Sequence, residues 1–386
     1  MASDLPYIAV SAFDIIAIAA TVGALATRLW IIPKGTDDLF HRPVWRLLGW
    51  ALGLVTTSSL VLLAGRTLEM SRAPWMRLAH WLPLVLTDTP FGHIWSVRPA
   101  VLILAWIAWA RGWRADSAPG SARVILVAMA AIAFTRSATG HPVDQGQWQA
   151  PEWVDFVHLM AGAVWAGTVF AMTLVVFPRL KDKRISSPVR AALIGNLSSV
   201  ATVALIIILV TGLLSAYHYL GSLAALWGST YGHTLLVKLA FVGLAILLGA
   251  ANRFILVPRI RAQPYSLPAE SSRPAPAATG VTAFRWLTGS VALEAVLLCA
   301  VLLAAATLLH GMPPREMAMA MRGGTMARAG QDSKTRGHAS EASLVGPGDP
   351  GQALPVPLVR YGVLAEPRSR SGKDHDGPGF LQNAIL

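Results

Sequence analysis

Residues 284–310 read FRWLTGSVALEAVLLCAVLLAAATLLH, and between Arg285 and His310 only Glu294 brings a charge into the run. At 1.5 Å per residue, a helix of this length crosses the roughly 30 Å hydrocarbon core of a bilayer. Similar runs cover 8–32, 44–64, 93–112, 122–139, 153–177, 190–219 and 233–257. Residues 74–90 are rich in Trp, Leu and Pro but too broken to span, and read as an interfacial or re-entrant segment. With 54% hydrophobic and 13% charged residues, the chain reads as an all-α polytopic membrane helix bundle of about eight transmembrane helices.

The net charge of +12 does not point to nucleic acid, because the basic residues sit mostly in short loops, where they set orientation. Arg179, Lys181, Lys183, Arg184 and Arg190 mark one loop as cytoplasmic, and Arg253, Arg259, Arg261, Arg273 and Arg285 mark another. Alternation then puts both termini and the segments 144–155 and 215–229 outside; the basic loop 66–77 is the one mismatch. Asp4 stands where a secretory signal would carry positive charge, so the first span reads as a retained helix. Three regions are expected: an N-terminal transmembrane half (1–113), a C-terminal transmembrane region (122–312), and a disordered external tail (313–386) with a Met-rich start.

This orientation puts seven of the ten histidines at the outer side: His80, His93, His141, His158, His218, His233 and His310. Histidine is the commonest metal ligand and is costly inside a bilayer, so such a cluster points to metal capture. Met312, Met317, Met319, Met321 and Met326 crowd in beside His310. Thioethers with imidazoles favour copper, Cu(I) above all, over hard cations. Cys299 is the only cysteine, which excludes disulfides and thiolate clusters.

His158 follows Asp155 by three residues, so the two share a helix face and the carboxylate is placed to orient the imidazole. Trp165 lies two turns below on that face. Two acids stand within apolar runs, Asp14 and Glu294; each implies either a cation or proton path or pairing with a buried group such as Arg136 or Asn252. A weak internal echo joins the halves. Thr89-Pro90-Phe91-Gly92-His93 followed by Arg98 resembles Thr230-Tyr231-Gly232-His233 followed by Lys238, and both basic side chains are expected to snorkel to the interface. No phosphate-cradling loop and no nucleophilic constellation is found, which argues against an ATP-driven pump or a hydrolase.

Thr139-Gly140-His141, the run from His158 through Trp165 to Gly167, Val210-Thr211-Gly212, Thr230-Tyr231-Gly232 with Lys238, Ala251-Asn252-Arg253, Glu294-Ala295 and Pro313-Pro314 together resemble the CopD family of bacterial copper-resistance membrane proteins. The chain departs from it at the start of the sixth span, where Arg190-Ala191-Ala192 stands in place of the family's Arg-Phe-Ser. The resemblance implies a multi-pass inner-membrane protein that moves copper, often beside a soluble periplasmic copper carrier, with His141 and His158 as ligands. The expected function is therefore copper ion transport for copper homeostasis or resistance, in a transporter rather than an enzyme. Capture is expected from His141, His158, His93, His233, His310, Met312, Met317 and Met319, and a polar route from Asp155, Glu294 and Asp14. The copper ion and the lipid bilayer are the expected partners. Because neutral imidazole is the ligand, capture should weaken as pH falls through about 8 to 5. Two alternatives stay open: a haem-b electron-transfer protein using His158 with His218 or His233, and a copper-delivery or assembly factor.

Overall fold

The computed structural model describes residues 5–115, 117–139, 150–180, 185–258, 277–311, 313–319 and 321. They belong to a compact unit that runs to Thr325; a second unit, Met326–Leu386, lies outside the described residues, as do His141, Asp144, Met312 and Met326. Every regular element among the described residues is helical.

In chain order these are α1 (Leu5–Ala26), α2 (Asp37–Ser71), α3 (Leu78–Asp88), α4 (Pro90–Trp95), α5 (Val97–Arg114), α6 (Pro119–Ser137), α7 (Ala150–Ala171), α8 (Phe177–Arg179), α9 (Ser187–Leu220), α10 (Ala224–Gly228), α11 (Thr230–Ala251) and α12 (Ala277–Leu309). Among the described residues, eight helical stretches are long and apolar enough to cross a membrane: Leu5–Ile31, Asp38–Ser71, Pro90–Arg114, Pro119–Ser137, Ala150–Arg179, Pro188–Leu220, Thr230–Leu256 and Arg285–Met319. The chain is a polytopic all-α membrane bundle. Its second span outruns the expected 44–64 at both ends, because a helix continues past its apolar stretch where polar side chains pair along it. Arg66 and Glu69 do so at 2.8 Å. The broken segment 74–90 folds as a 3₁₀ turn at Trp75–Arg77 and the short α3, with Trp75 and Met76 exposed.

The two halves repeat one plan. α1 and α7 each end in a π-helical turn, Thr27–Ile31 and Met172–Val176. The long helices that follow, α2 and α9, both stop at a left-handed residue: Arg72 (φ 50°) and Gly221 (φ 68°). A short helix then leads to a capped turn. Thr89 Oγ1 accepts the Gly92 N–H at 3.0 Å and donates to Val85 O; Ser229 Oγ accepts the Gly232 N–H at 2.9 Å and donates to Ala225 O. A Cβ on Gly92 would lie 2.0 Å from Val85 O and one on Gly232 2.4 Å from Ala225 O, so each turn requires glycine. The packing repeats too. α1 packs on α2 as α7 does on α9, α5 on α6 as α11 on α12, and α1 reaches α12 as α7 reaches α6. All paired helices run in the same direction through the sequence alternation, which makes this a parallel repeat about an axis normal to the membrane.

That axis passes between α1 and α7, the most closely packed pair. Gly23 and Gly167 meet there backbone to backbone, the small-residue contact by which membrane helices gain van der Waals packing. α9 and α11, by contrast, scarcely touch each other along their lengths.

Candidate functional site

One face of α7 runs past both polar centres of the C-terminal half. Near its start, Asp155 accepts hydrogen bonds from Ser215 Oγ at 3.0 Å and Tyr219 OH at 2.5 Å. One turn on, His158 Nδ1 lies 2.9 Å from Thr211 Oγ1. Thr211 spends its only proton on the Ile207 carbonyl at 2.6 Å, so its oxygen accepts and His158 donates from Nδ1–H. Thr211, Ser215 and Tyr219 stand four residues apart on α9 and form one rail for both α7 side chains.

This tautomer leaves Nε2 with the free lone pair, the form in which a histidine binds a metal. The structure corrects one expectation: Asp155 does not orient His158. Two α9 hydroxyls claim the carboxylate and a third holds the ring. Lys238 of α11 is half-buried within electrostatic reach of both Asp155 and His158, so a cation arriving here meets attraction and repulsion together. Tyr231 also stands within electrostatic reach of Asp155.

Two turns below His158, Trp165 donates its indole N–H to Glu294 Oε1 of α12 at 3.3 Å. Glu294 is buried. Asn252 lies beside it, 7% exposed and within hydrogen-bonding reach of the carboxylate, though neither amide atom makes a well-formed hydrogen bond. From this level a cavity of about 410 Å³ extends between α9 and α11 to Arg253 and Val257, its walls otherwise mostly apolar. At its mouth the Arg253 guanidinium bonds Ser198 O at 3.2 Å, Ser198 Oγ at 3.1 Å, and Thr202 Oγ1.

The other candidate residues are dispersed. His93 sits in the capped turn with Nε2 2.5 Å from Thr87 O. His233 is exposed in the equivalent turn. His310 is exposed with its ring against Tyr7, centroids 5.0 Å apart. Met317 and Met319 are exposed. Among the described residues, no three His, Cys, Asp or Glu side chains converge as a metal cage.

Asp14 is fully buried in the N-terminal half. It pairs with Arg136 Nη1 at 2.5 Å and accepts from Ser58 Oγ at 2.8 Å. Arg136 also reaches Ser11 Oγ at 2.5 Å. Arg98, expected to snorkel, is instead buried. Its guanidinium bonds Thr135 Oγ1 at 2.8 Å and Ser59 Oγ at 3.1 Å, and lies 3.9 Å from the centroid of the Trp95 ring. A cation–π roof with hydroxyl acceptors satisfies it better than the interface would. The sequence reading did not use Trp95, Thr135 or Ser59; the signal for them was the arginine one turn inside a span.

Residues 191–308 match the family model described as copper resistance protein D, and residues 1–150 match the copper resistance protein D-like, N-terminal domain. Copper resistance protein D of Pseudomonas syringae pv. tomato is 30% identical over 212 residues, which cover 53% of this chain and 66% of that protein. Copper transport protein CutJ of Bacillus subtilis (strain 168) is 26% identical over 180 residues, covering 46% of this chain and 32% of that protein. The matched stretch thus falls just short of two thirds of the first relative and spans about a third of the second. No solved structure matches the chain. With one family model on each half of the repeat, the chain belongs to the copper resistance protein D family.

Proposed function

We propose that this protein carries copper ions across the bacterial inner membrane. One observation carries the reading: a single face of α7 bears Asp155 and His158 at one end, touches Glu294 through Trp165 at mid-depth, and lines a cavity that continues to the other end of the bundle. The relatives named for copper resistance and copper transport supply the cargo. His158 Nε2 is the anchor of capture at the outer crevice. His141, which precedes α7 in the sequence and lies outside the described residues, is the proposed second ligand, and His93, His233, His310, Met312, Met317 and Met319 are the proposed collecting ligands. Asp155 raises the local cation concentration without touching the ring. A soluble periplasmic copper carrier is the partner that would deliver to this surface.

The test is metal analysis of the purified protein for copper and iron, with a His141→Ala/His158→Ala variant alongside, followed by copper uptake into vesicles. Copper that is bound by the wild type, lost in the variant and taken up by vesicles is the expected result. Copper bound without uptake would turn the assignment to delivery, and iron without copper to haem.

A further inference from the structure

The repeat gives the cavity beside Glu294 an internal reference. Counting from the capped glycines, Gly92 and Gly232, Trp109 of α5 corresponds to Gly249 of α11, and Gly112 to Asn252. Counting back from the left-handed residues, Arg72 and Gly221, Trp45 of α2 corresponds to Ile194 of α9. In the N-terminal half the two indoles fill the space. Trp45 Nε1 donates to Trp109 O at 2.8 Å and Trp109 Nε1 to Trp45 O at 3.0 Å, while the Trp45 ring presses on Gly112. In the C-terminal half the smaller residues leave it open. A Cβ on Gly249 would face Glu294 Oε1 at 3.7 Å.

The open side also holds a sparsely satisfied polar pair. Asn252 lies within hydrogen-bonding reach of Glu294 without well-formed bond geometry, and the Trp165 N–H bonds Glu294 Oε1. Burying a polar pair so thinly bonded is costly, and a third participant at this point would offset that cost. No imidazole, thioether or thiol lines the cavity, so a copper ion passing through it finds no soft ligand to rest on, and the resident third participant is another species. Sodium fits no better, because the Ser198 and Thr202 hydroxyls are held by the Arg253 guanidinium. The charged groups are few. α7 contributes none, α9 none, the turn after α11 only Arg253, and α12 only Glu294 itself.

The geometry points to Glu294 as a protonation site reached through this cavity, coupling proton movement to copper movement. Resting on the copper-transport reading above, it assigns the coupling ion. A proton from solvent adds to Glu294 Oε2, neutralising the carboxylate, and Asn252 is placed to accept the new O–H. Release reverses the step. The basic residues at the cavity's end of the bundle put its mouth on the cytoplasmic side.

The test uses full-length protein. Dicyclohexylcarbodiimide, which modifies protonated carboxyl groups in apolar surroundings, should label Glu294, with less labelling as pH rises. Filling the cavity by Gly249→Trp, as Trp109 does in the other half, or by Ala201→Trp should suppress the label in protein that still elutes as a folded peak. In proteoliposomes holding a pH dye, copper addition should change the lumen pH with the wild type and not with Glu294→Gln. Copper movement at wild-type rates in Glu294→Gln with no lumen pH change overturns the coupling and leaves the transport reading standing. Copper movement that requires sodium replaces the proton. If no variant moves copper, the transport reading falls and coupling with it, even where Glu294 still labels.

Discussion

Gly23 and Gly167 are in backbone contact across the repeat axis: a Cβ on Gly23 would stand 1.8 Å from the carbonyl carbon of Gly167, and one on Gly167 1.8 Å from Ala19 O. No rotamer relieves a clash with backbone. Gly23→Leu or Gly167→Leu must therefore separate α1 from α7, and overpacking a tight core costs at least about 1–3 kcal/mol. Gly162→Leu, on the same helix with nothing within 4 Å of its Cβ position, is the control. Thermal unfolding in detergent should show a clear loss for the first two variants and none for the third.

Thr211 decides which nitrogen of His158 is free. Thr211→Val keeps the volume and removes the acceptor for Nδ1–H, so the ring loses both its orientation and its fixed tautomer. Loss of such a supporting partner typically weakens metal binding by about 10–100-fold. Thr211→Ser restores the oxygen and should recover most of it. Cu(I) titration of the three proteins checks this; equal affinities would remove His158 from the capture site.

Lys238 opposes a cation at His158, and Asp155 attracts one. Replacing the lysine by Gln should strengthen copper binding on the order of tenfold, about 1.4 kcal/mol, and Asp155→Asn should weaken it similarly. Both effects should shrink as salt is raised. An unchanged affinity in Lys238→Gln would mean that copper does not bind near this crevice.

The spans were legible because eight apolar runs of bilayer length leave little choice of fold, and the glycine–histidine turns were legible because a cap writes its own local sequence. Side-chain partnerships across helices were less so. Asp155 and His158 share a face, as their spacing requires, yet three-residue spacing cannot reveal that α9 offers each its own hydroxyl. Gly23 and Gly167 look like ordinary small residues in apolar runs; only their meeting gives them a role. The cavity was hidden for a similar reason, since it depends on Gly249 and Ile194 standing where the other half has Trp109 and Trp45.

The N-terminal polar cluster allows an asymmetric prediction. Asp14 answers two guanidinium groups there: it pairs with Arg136 and lies within electrostatic reach of Arg98. Arg136→Gln removes one cation and leaves Asp14 facing Arg98, with Ser58 still donating to it. Asp14→Asn leaves two like charges close together in a low-dielectric interior without the carboxylate that Arg136 pairs with. Breaking a buried pair costs about 3–5 kcal/mol, and the like-charge repulsion adds to the second case. Asp14→Asn should therefore destabilise the protein more than Arg136→Gln. The double variant Asp14→Asn/Arg136→Gln should lie above the single Asp14→Asn, because it removes one of the two stranded charges. Unfolding midpoints of the three proteins in the same detergent test the order; an Asp14→Asn protein as stable as the wild type would show that the carboxylate is not the counter-ion of this cluster.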